Sequence, residues 1–271
     1  MTQAEYEAFR KIVYEHSRIN LGENKKELVN ARIIKRLIAT KIDTFQAYLH
    51  FIQSAAGEEE FTNFIDAIST NHTFFFRESA HYDFLNKEVF PEFFNGSLKW
   101  GNQLRLWSAA SSTGEEPYSI AMTLADAFAA NPGKDWSVEC TDISTRVLKT
   151  ATDGIYKKDR VQNIDNQRLK KYFQRGTGSK EGLFRIRTEL KNKMRFHKLN
   201  LLQPSYPFRE SFHIIFNRNV MIYFDRETQE ELIAKMTPLL APGGYLIIGH
   251  AETLSGLKHP LKMVRPSIYR K

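Results

Sequence analysis

Between residues 1 and 70, apolar side chains recur at helical spacing. Tyr6, Phe9, Ile12 and Val13 fall at i, i+3, i+6 and i+7, one stripe of an amphipathic helix. Leu28, Val29, Ile33, Ile34 and Leu37 repeat the stripe. Phe45, Tyr48, Leu49 and Ile52 do so behind a Thr44 cap, and Phe61, Phe64, Ile65 and Ile68 behind Gly57. Four short helices with brief connections predict an all-α N-terminal domain over residues 1–70.

After Phe94-Asn95-Gly96 the period changes. Strand-like runs at 104–108, 138–141, 194–199, 212–216 and 245–249 alternate with helical stretches at 117–130, 145–152 and 227–240. This alternation predicts an α/β domain over 95–271, with a mainly parallel sheet covered by helices. The end, 261–264 then Arg265-Pro266 then 267–270, reads as a terminal antiparallel hairpin. One stretch breaks the alternation. Residues 173–190 contain Gly176, Gly178 and Gly182 before the alternating Leu183-Phe184-Arg185-Ile186-Arg187, which predicts a small antiparallel β insert over about 172–190.

Composition narrows the class of protein. Hydrophobic residues make up 42% and charged residues 26% of 271, which is globular and neither fibrous nor disordered. No apolar run approaches the roughly 18 residues that span a bilayer, so no membrane insertion is expected. The opening Met1-Thr2-Gln3-Ala4-Glu5 has no secretion-signal pattern. Cys140 is the single cysteine, so an intramolecular disulfide is excluded; a soluble, cytoplasmic protein is the expectation. No histidine spacing suggests a metal, and none is expected. The net charge of +8 is local. Residues 1–70 hold 9 Lys/Arg against 10 Asp/Glu, whereas residues 154–200 hold 14 against 4. That basic segment suits an acidic partner or simply a solvated face.

The first βα turn carries the chemistry. It runs Trp107-Ser108-Ala109-Ala110-Ser111-Ser112-Thr113-Gly114-Glu115-Glu116-Pro117-Tyr118. Small residues admit a ligand close to the backbone, Thr113 is placed to cap the helix, and Pro117 suits its first turn. Two carboxylates stand where a dinucleotide would put its pyrophosphate, so a cationic ligand fits better. Glu115 and Glu116 also serve the helix dipole, which alone would account for them. Asp142 ends the second strand, placed either for ribose hydroxyls or to cap the next helix. An acidic turn with an acidic strand tip points to a positively charged adenosyl ligand, a description that S-adenosylmethionine meets.

Three stretches together are specific: Asn71-His72-Thr73-Phe74-Phe75-Phe76-Arg77-Glu78, residues 106–121 around Ser111-Ser112-Thr113-Gly114-Glu115-Glu116-Pro117-Tyr118, and Phe216-Asn217-Arg218-Asn219-Val220-Met221-Ile222-Tyr223-Phe224. They resemble the CheR-type chemotaxis receptor methyltransferases over nearly the whole chain. The resemblance implies a Rossmann-like S-adenosylmethionine-dependent methyltransferase domain, preceded by the helical domain and a linker over 71–94. It implies methylation of glutamate carboxylates on the cytoplasmic domains of methyl-accepting receptors, with S-adenosylhomocysteine as the second product. By the family pattern, Asn71, Thr73, Arg77, Glu115, Asp142, Asn200, Leu201, Arg218 and Asn219 line the cofactor pocket, and Arg77 and Tyr223 are the catalytic pair. Ala109-Ala110 and Asn217 depart from the commoner family residues there. The loop 175–182 looks like that of members whose β insert docks a receptor C-terminal peptide.

Two other readings compete. A nucleic-acid methyltransferase would use the same cofactor and a basic patch, but base methylation commonly uses an Asn/Asp-Pro-Pro-aromatic motif. Asn217-Arg218-Asn219-Val220 stands there instead. A non-catalytic cofactor-binding partner of receptors is the other, against which Arg77, Asp142 and Tyr223 argue. No nucleic acid is expected as partner, and a monomer is the default state.

Overall fold

The structure, a computed structural model, describes residues 1–69 and 72–271. The expectation for Asn71 falls outside the described residues. The chain forms two compact units, one of Met1–Thr70 with Ile222–Thr228, the other of Asn71–Met221 with Gln229–Lys271.

The first unit contains α1 (Gln3–Ser17), α2 (Lys26–Thr40), α3 (Phe45–Gln53) and α4 (Glu58–Ile68). Thr2 and Glu5 form a reciprocal capping box on α1, and the Thr44 hydroxyl accepts the Ala47 N–H at the start of α3. Tyr6, Phe9, Val13, Val29, Ile33, Tyr48 and Phe64 make its core. Leu28 and Ile34, read as part of the α2 stripe, are 45% and 40% exposed: only the narrower Val29-Ile33-Leu37 line faces inward. Glu60 is buried, and the Arg36 guanidinium (2.6 and 2.8 Å) and the Tyr48 hydroxyl (2.6 Å) satisfy it.

The second unit opens with α5 (Ala80–Phe84) and α6 (Phe90–Phe94), joined by a wider helical turn over Leu85–Val89. That turn comes just before Pro91, which has no N–H to give to a regular ladder. The 71–94 segment, expected as a linker, supplies Phe75, Tyr82, Phe84, Leu85, Val89, Phe90 and Phe93 to the core of this unit. Then follow β1 (Gln103–Ala109), α7 (Glu115–Phe128), β2 (Asp135–Asp142) and α8 (Thr145–Asp153). Next come β3 (Ile155–Lys157), α9 (Asn166–Tyr172), β4 (Phe173–Arg175), β5 (Leu183–Ile186) and α10 (Thr188–Lys191). The chain closes with β6 (Met194–Lys198), β7 (Phe212–Asn217), α11 (Arg226–Met236), β8 (Leu240–Ile248), β9 (Lys262–Arg265) and β10 (Ile268–Arg270).

The main sheet has the order β6-β2-β1-β7-β8-β10-β9, parallel from β6 through β8 and antiparallel at β10 and β9. Its inner strands are buried on both faces, which is why they read as apolar runs. Cys140 sits fully buried in β2. The chain winds outward from β1 through β2 to β6, then returns to the other side of β1 for β7. That reversal leaves a crevice at the carboxyl ends of β1 and β7. The small sheet, β3-β5-β4, is antiparallel and interrupts the crossover between β2 and β6. Its strand β3 precedes the expected boundary of the insert, since three residues are too few to show a period.

Candidate functional site: a crevice where the strand order reverses

The ends of β1, β2 and β6 are tied together by backbone. The Ala110 and Ser111 N–H groups both donate to the Thr141 carbonyl at 2.8 Å, and the Leu199 N–H donates to the Asp142 carbonyl at 2.9 Å. Asp142 is 6% exposed. One carboxylate oxygen accepts the Ser112 N–H (2.8 Å) and the other the Ser144 N–H (2.9 Å), so the first turn is oriented by the acid at the second strand tip. Ser144, not Asp142, caps α8 by accepting the Val147 N–H. Asn200 and Leu201 follow directly on this edge. Asn200 turns the chain by accepting the Leu202 N–H through its side chain, and Leu201 is buried.

Thr113 does not cap α7. The cap is Gly114 at φ 98°, and the Thr113 hydroxyl instead donates to Glu115 at 2.6 Å. A Cβ at Gly114 would lie 2.6 Å from the Tyr156 hydroxyl and 2.9 Å from the Ala151 Cβ, so close approach and backbone both demand glycine. Glu115 is fully buried and paired with Arg160, whose Nε lies 3.0 Å from it. Arg160 also donates to the Thr73 carbonyl at 3.1 Å, bringing Thr73 and Glu115 together. Arg160 lies in the basic segment, and no local pattern singles it out.

Arg77 is partly exposed, donates to the His72 carbonyl (3.1 Å) and stands 5.7 Å from the Phe74 ring centre. The Arg218 side chain is buried against Glu78, Glu116 and the Arg77 carbonyl, at 3.0, 2.9 and 2.6 Å. Burial opposes its charge, yet Glu116 and Glu78 hold it firmly protonated. Burial pushes the Glu116 carboxyl up, whereas at Glu78 the pull of Arg218 outweighs burial and holds the carboxyl below the usual range. Asn219, at φ 58°, gives its N–H to Glu252 (2.9 Å). Glu252 also accepts from Met221 and Gly249, pinning the loops after β7 and β8. Tyr223 packs within the helical unit, its carbonyl accepting the Asn20 N–H at 2.8 Å and its ring 5.1 Å from the Lys25 ammonium.

Glu78, Arg160 and Glu252 were not singled out from the sequence, and Glu116 was read only as part of the acidic turn, because their partners Arg218, Thr73, Glu115 and Asn219 lie far away in the chain. Glu78, His81 and His250 bring ligand atoms within 4.8 Å of one another. Glu78 is already committed to Arg218, whose positive charge opposes a cation there.

The crevice meets a physical test for a bound nucleoside. The Ser111 hydroxyl and both side-chain polar atoms of Asn217 are buried without a partner, and they belong to the turn after β1 and the last position of β7. Buried polar atoms are seldom left unsatisfied, so these are donors and acceptors for a polar ligand. With the Asp142 carboxylate at the neighbouring strand tip, these groups suit a polar, nucleoside-like ligand.

Comparison with known proteins agrees. The model described as "CheR methyltransferase, SAM binding domain" matches residues 71–269, and "CheR methyltransferase, all-alpha domain" matches residues 4–69. The chain is 40% identical to the chemotaxis protein methyltransferase of Salmonella typhimurium over 269 residues, covering 99% of this chain and 90% of that protein. It is 40% identical to the Escherichia coli protein of that name, covering 99% and 91%, and 40% identical to the one from Borreliella burgdorferi, covering 100% and 95%. The chain belongs to the CheR methyltransferase family. Its cofactor is S-adenosylmethionine.

Proposed function

We propose that this methyltransferase esterifies glutamate side chains on the cytoplasmic domains of methyl-accepting chemotaxis receptors. The observation that carries the reading is the full-length similarity to chemotaxis protein methyltransferases, joined to a crevice in which Asp142 and the unpartnered Ser111 and Asn217 suit an adenosyl group. Asn71, Thr73, Glu115, Asp142, Asn200, Leu201, Arg218 and Asn219 hold or frame the cofactor, and Arg77 and Tyr223 orient the reacting groups. When bound, the cofactor supplies an electrophilic methyl on a sulfonium. A glutamate carboxylate, with an ordinary pKa of about 4.3, is already ionised at neutral pH, so no residue needs to act as general base. The glutamate oxygen–methyl bond forms as the methyl–sulfur bond breaks, leaving a methyl ester and S-adenosylhomocysteine. Alignment is then the main task, and Arg77 must attract the carboxylate without quenching its nucleophilicity. The chain works as a monomer.

The small antiparallel sheet supplies a second contact with the receptor. Strands β3 and β4 are its edges, and an open hollow of about 610 Å³ beside it is lined by Lys157, Lys158, Asp159, Gln162, Glu181, Gly182 and Leu183. An extended receptor C-terminal peptide would add as a strand, its carboxylate meeting the lysines.

The deciding experiment uses cofactor labelled in its methyl group, offered to receptor cytoplasmic fragments and to RNA. Base-labile label on receptor glutamates is expected. Label in RNA, or cofactor binding with no transfer at all, would replace this reading with one of its two competitors.

A further inference from the structure

The segment carrying Arg77 is strained. Phe76 and Glu78 on either side of it both adopt left-handed backbone, at φ 56° and 57°, a conformation that bulky L-residues avoid. Such strain persists only where the surroundings over-determine it. Three ties do so here. The Phe76 N–H donates to the Ser119 hydroxyl at 2.9 Å, and that hydroxyl in turn donates to the Glu115 carbonyl at 2.6 Å on α7. The Arg77 carbonyl accepts from Arg218 at 2.6 Å. The Glu78 carboxylate accepts from Arg218 and from the His250 N–H, at 3.0 and 3.2 Å.

Arg218 is itself held from the opposite side. Glu116, the second residue of α7, accepts from it at 2.9 Å and from the Ser108 hydroxyl at 2.8 Å. The chain of contacts therefore runs from β1 through the first turn of α7 and the end of β7 to the strained turn. Every N–H-bearing nitrogen of the buried guanidinium is engaged by protein.

We propose that Glu116, Arg218, Glu78 and Ser119 form a clamp whose task is to hold Arg77 in its working position, so that Arg218 is a positioning residue acting through Arg77. This rests on the reading of the crevice given above and deepens it. The two carboxylates flanking Arg218 divide the work. Glu116 fixes the guanidinium to the cofactor-binding helix, and Glu78 transmits its position to the turn. Loss of either loosens Arg77 while leaving the Asp142 side of the crevice intact.

The test is a double-mutant cycle on the full chain. Glu78→Gln and Ser119→Ala are each made alone and in an Arg77→Ala background. Methyl transfer to receptor, calorimetric affinity for S-adenosylhomocysteine, and hydrogen exchange at the Phe76 amide are measured on folded protein. Each single variant is expected to lower kcat by about tenfold, with product affinity within about twofold of the parent. In the Arg77→Ala background the same changes should cost less than about twofold further, because the group they position is gone. Exchange at Phe76 should accelerate in Glu78→Gln, where no hydrogen bond to Phe76 itself has been removed. Losses that multiply fully in the Arg77→Ala background would overturn the proposal, as would unchanged exchange at Phe76. A parent protein that binds S-adenosylhomocysteine but methylates no receptor would instead refute the substrate reading, with the exchange result still judging the clamp.

Discussion

At the scale of single residues, one crevice holds carboxylates with different duties. Asp142 is oriented by two backbone N–H groups, Glu115 is neutralised by Arg160, and Glu78 and Glu116 are spent on Arg218. Asp142→Ala should therefore weaken S-adenosylhomocysteine binding by tenfold or more, about 1.4 kcal/mol per decade, in a calorimetric titration. Arg77→Ala and Tyr223→Phe should slow turnover with little change in that affinity; the reverse pattern would exchange their roles. His81 offers a different prediction. It is 1% exposed, and burial, with Arg218 and His250 nearby and Glu78 only partly opposing them, lowers its pKa to about 3. The unfolded chain binds a proton at an ordinary 6.5, so the unfolded state gains protons first as pH falls. Stability is full above pH 6.5 and declines below it, by about 2 kcal/mol between pH 7 and pH 5 from this residue. Glu116, raised by burial, titrates with the opposite sign. The useful measurement is hence the difference between the parent and His81→Gln in urea unfolding at the two pH values, where the variant should show the shallower acid decline.

Among the elements, α7 is tightly constrained at its Gly114 cap. A residue with a side chain there must adopt φ 98° and displace Tyr156 and Ala151. Gly114→Ala should destabilise the second unit by about 2–4 kcal/mol, combining the strain of a left-handed non-glycine residue with overpacking. A melting curve of the variant checks it, and an unshifted midpoint would show that Tyr156 yields freely. The same turn marks the limit of reading elements from sequence. Alternation of period gave the strands, the helices and the terminal hairpin, because burial on both faces writes itself into consecutive apolar residues. Thr113 looked like a cap by residue type, but the helix begins one residue later behind Gly114 and the Thr113 hydroxyl donates to Glu115. The α2 stripe looked broader than it is, since Leu28 and Ile34 are apolar yet outward. Arg160 and Glu252 left no local mark, for the Thr73, Asn219 and Met221 groups they satisfy are distant in the chain. The acidic first turn and the Asp142 strand tip were legible because βα geometry fixes where such residues go.

For the molecule as a whole, the small sheet is an interruption in a crossover, and the order of the main sheet does not depend on it. The docking proposed for this sheet should thus be separable from chemistry. A receptor cytoplasmic fragment lacking its last residues should be methylated with a raised KM and an unchanged kcat, since tethering changes local concentration and not the reacting geometry. Equal KM for full-length and truncated receptor would remove the tether from the reading. Among the described residues no helix is long and apolar enough to cross a membrane.

The lone thiol of Cys140 has a consequence of its own. It is fully enclosed in the second strand of the central sheet, and burial raises it well above the ordinary thiol range. A thiolate-seeking reagent therefore has no target until that sheet parts. Alkylation of the unmodified chain becomes a clock for the opening of the catalytic unit alone, requiring neither an engineered label nor a second mutation, and a ligand that tightens the crevice should slow that clock.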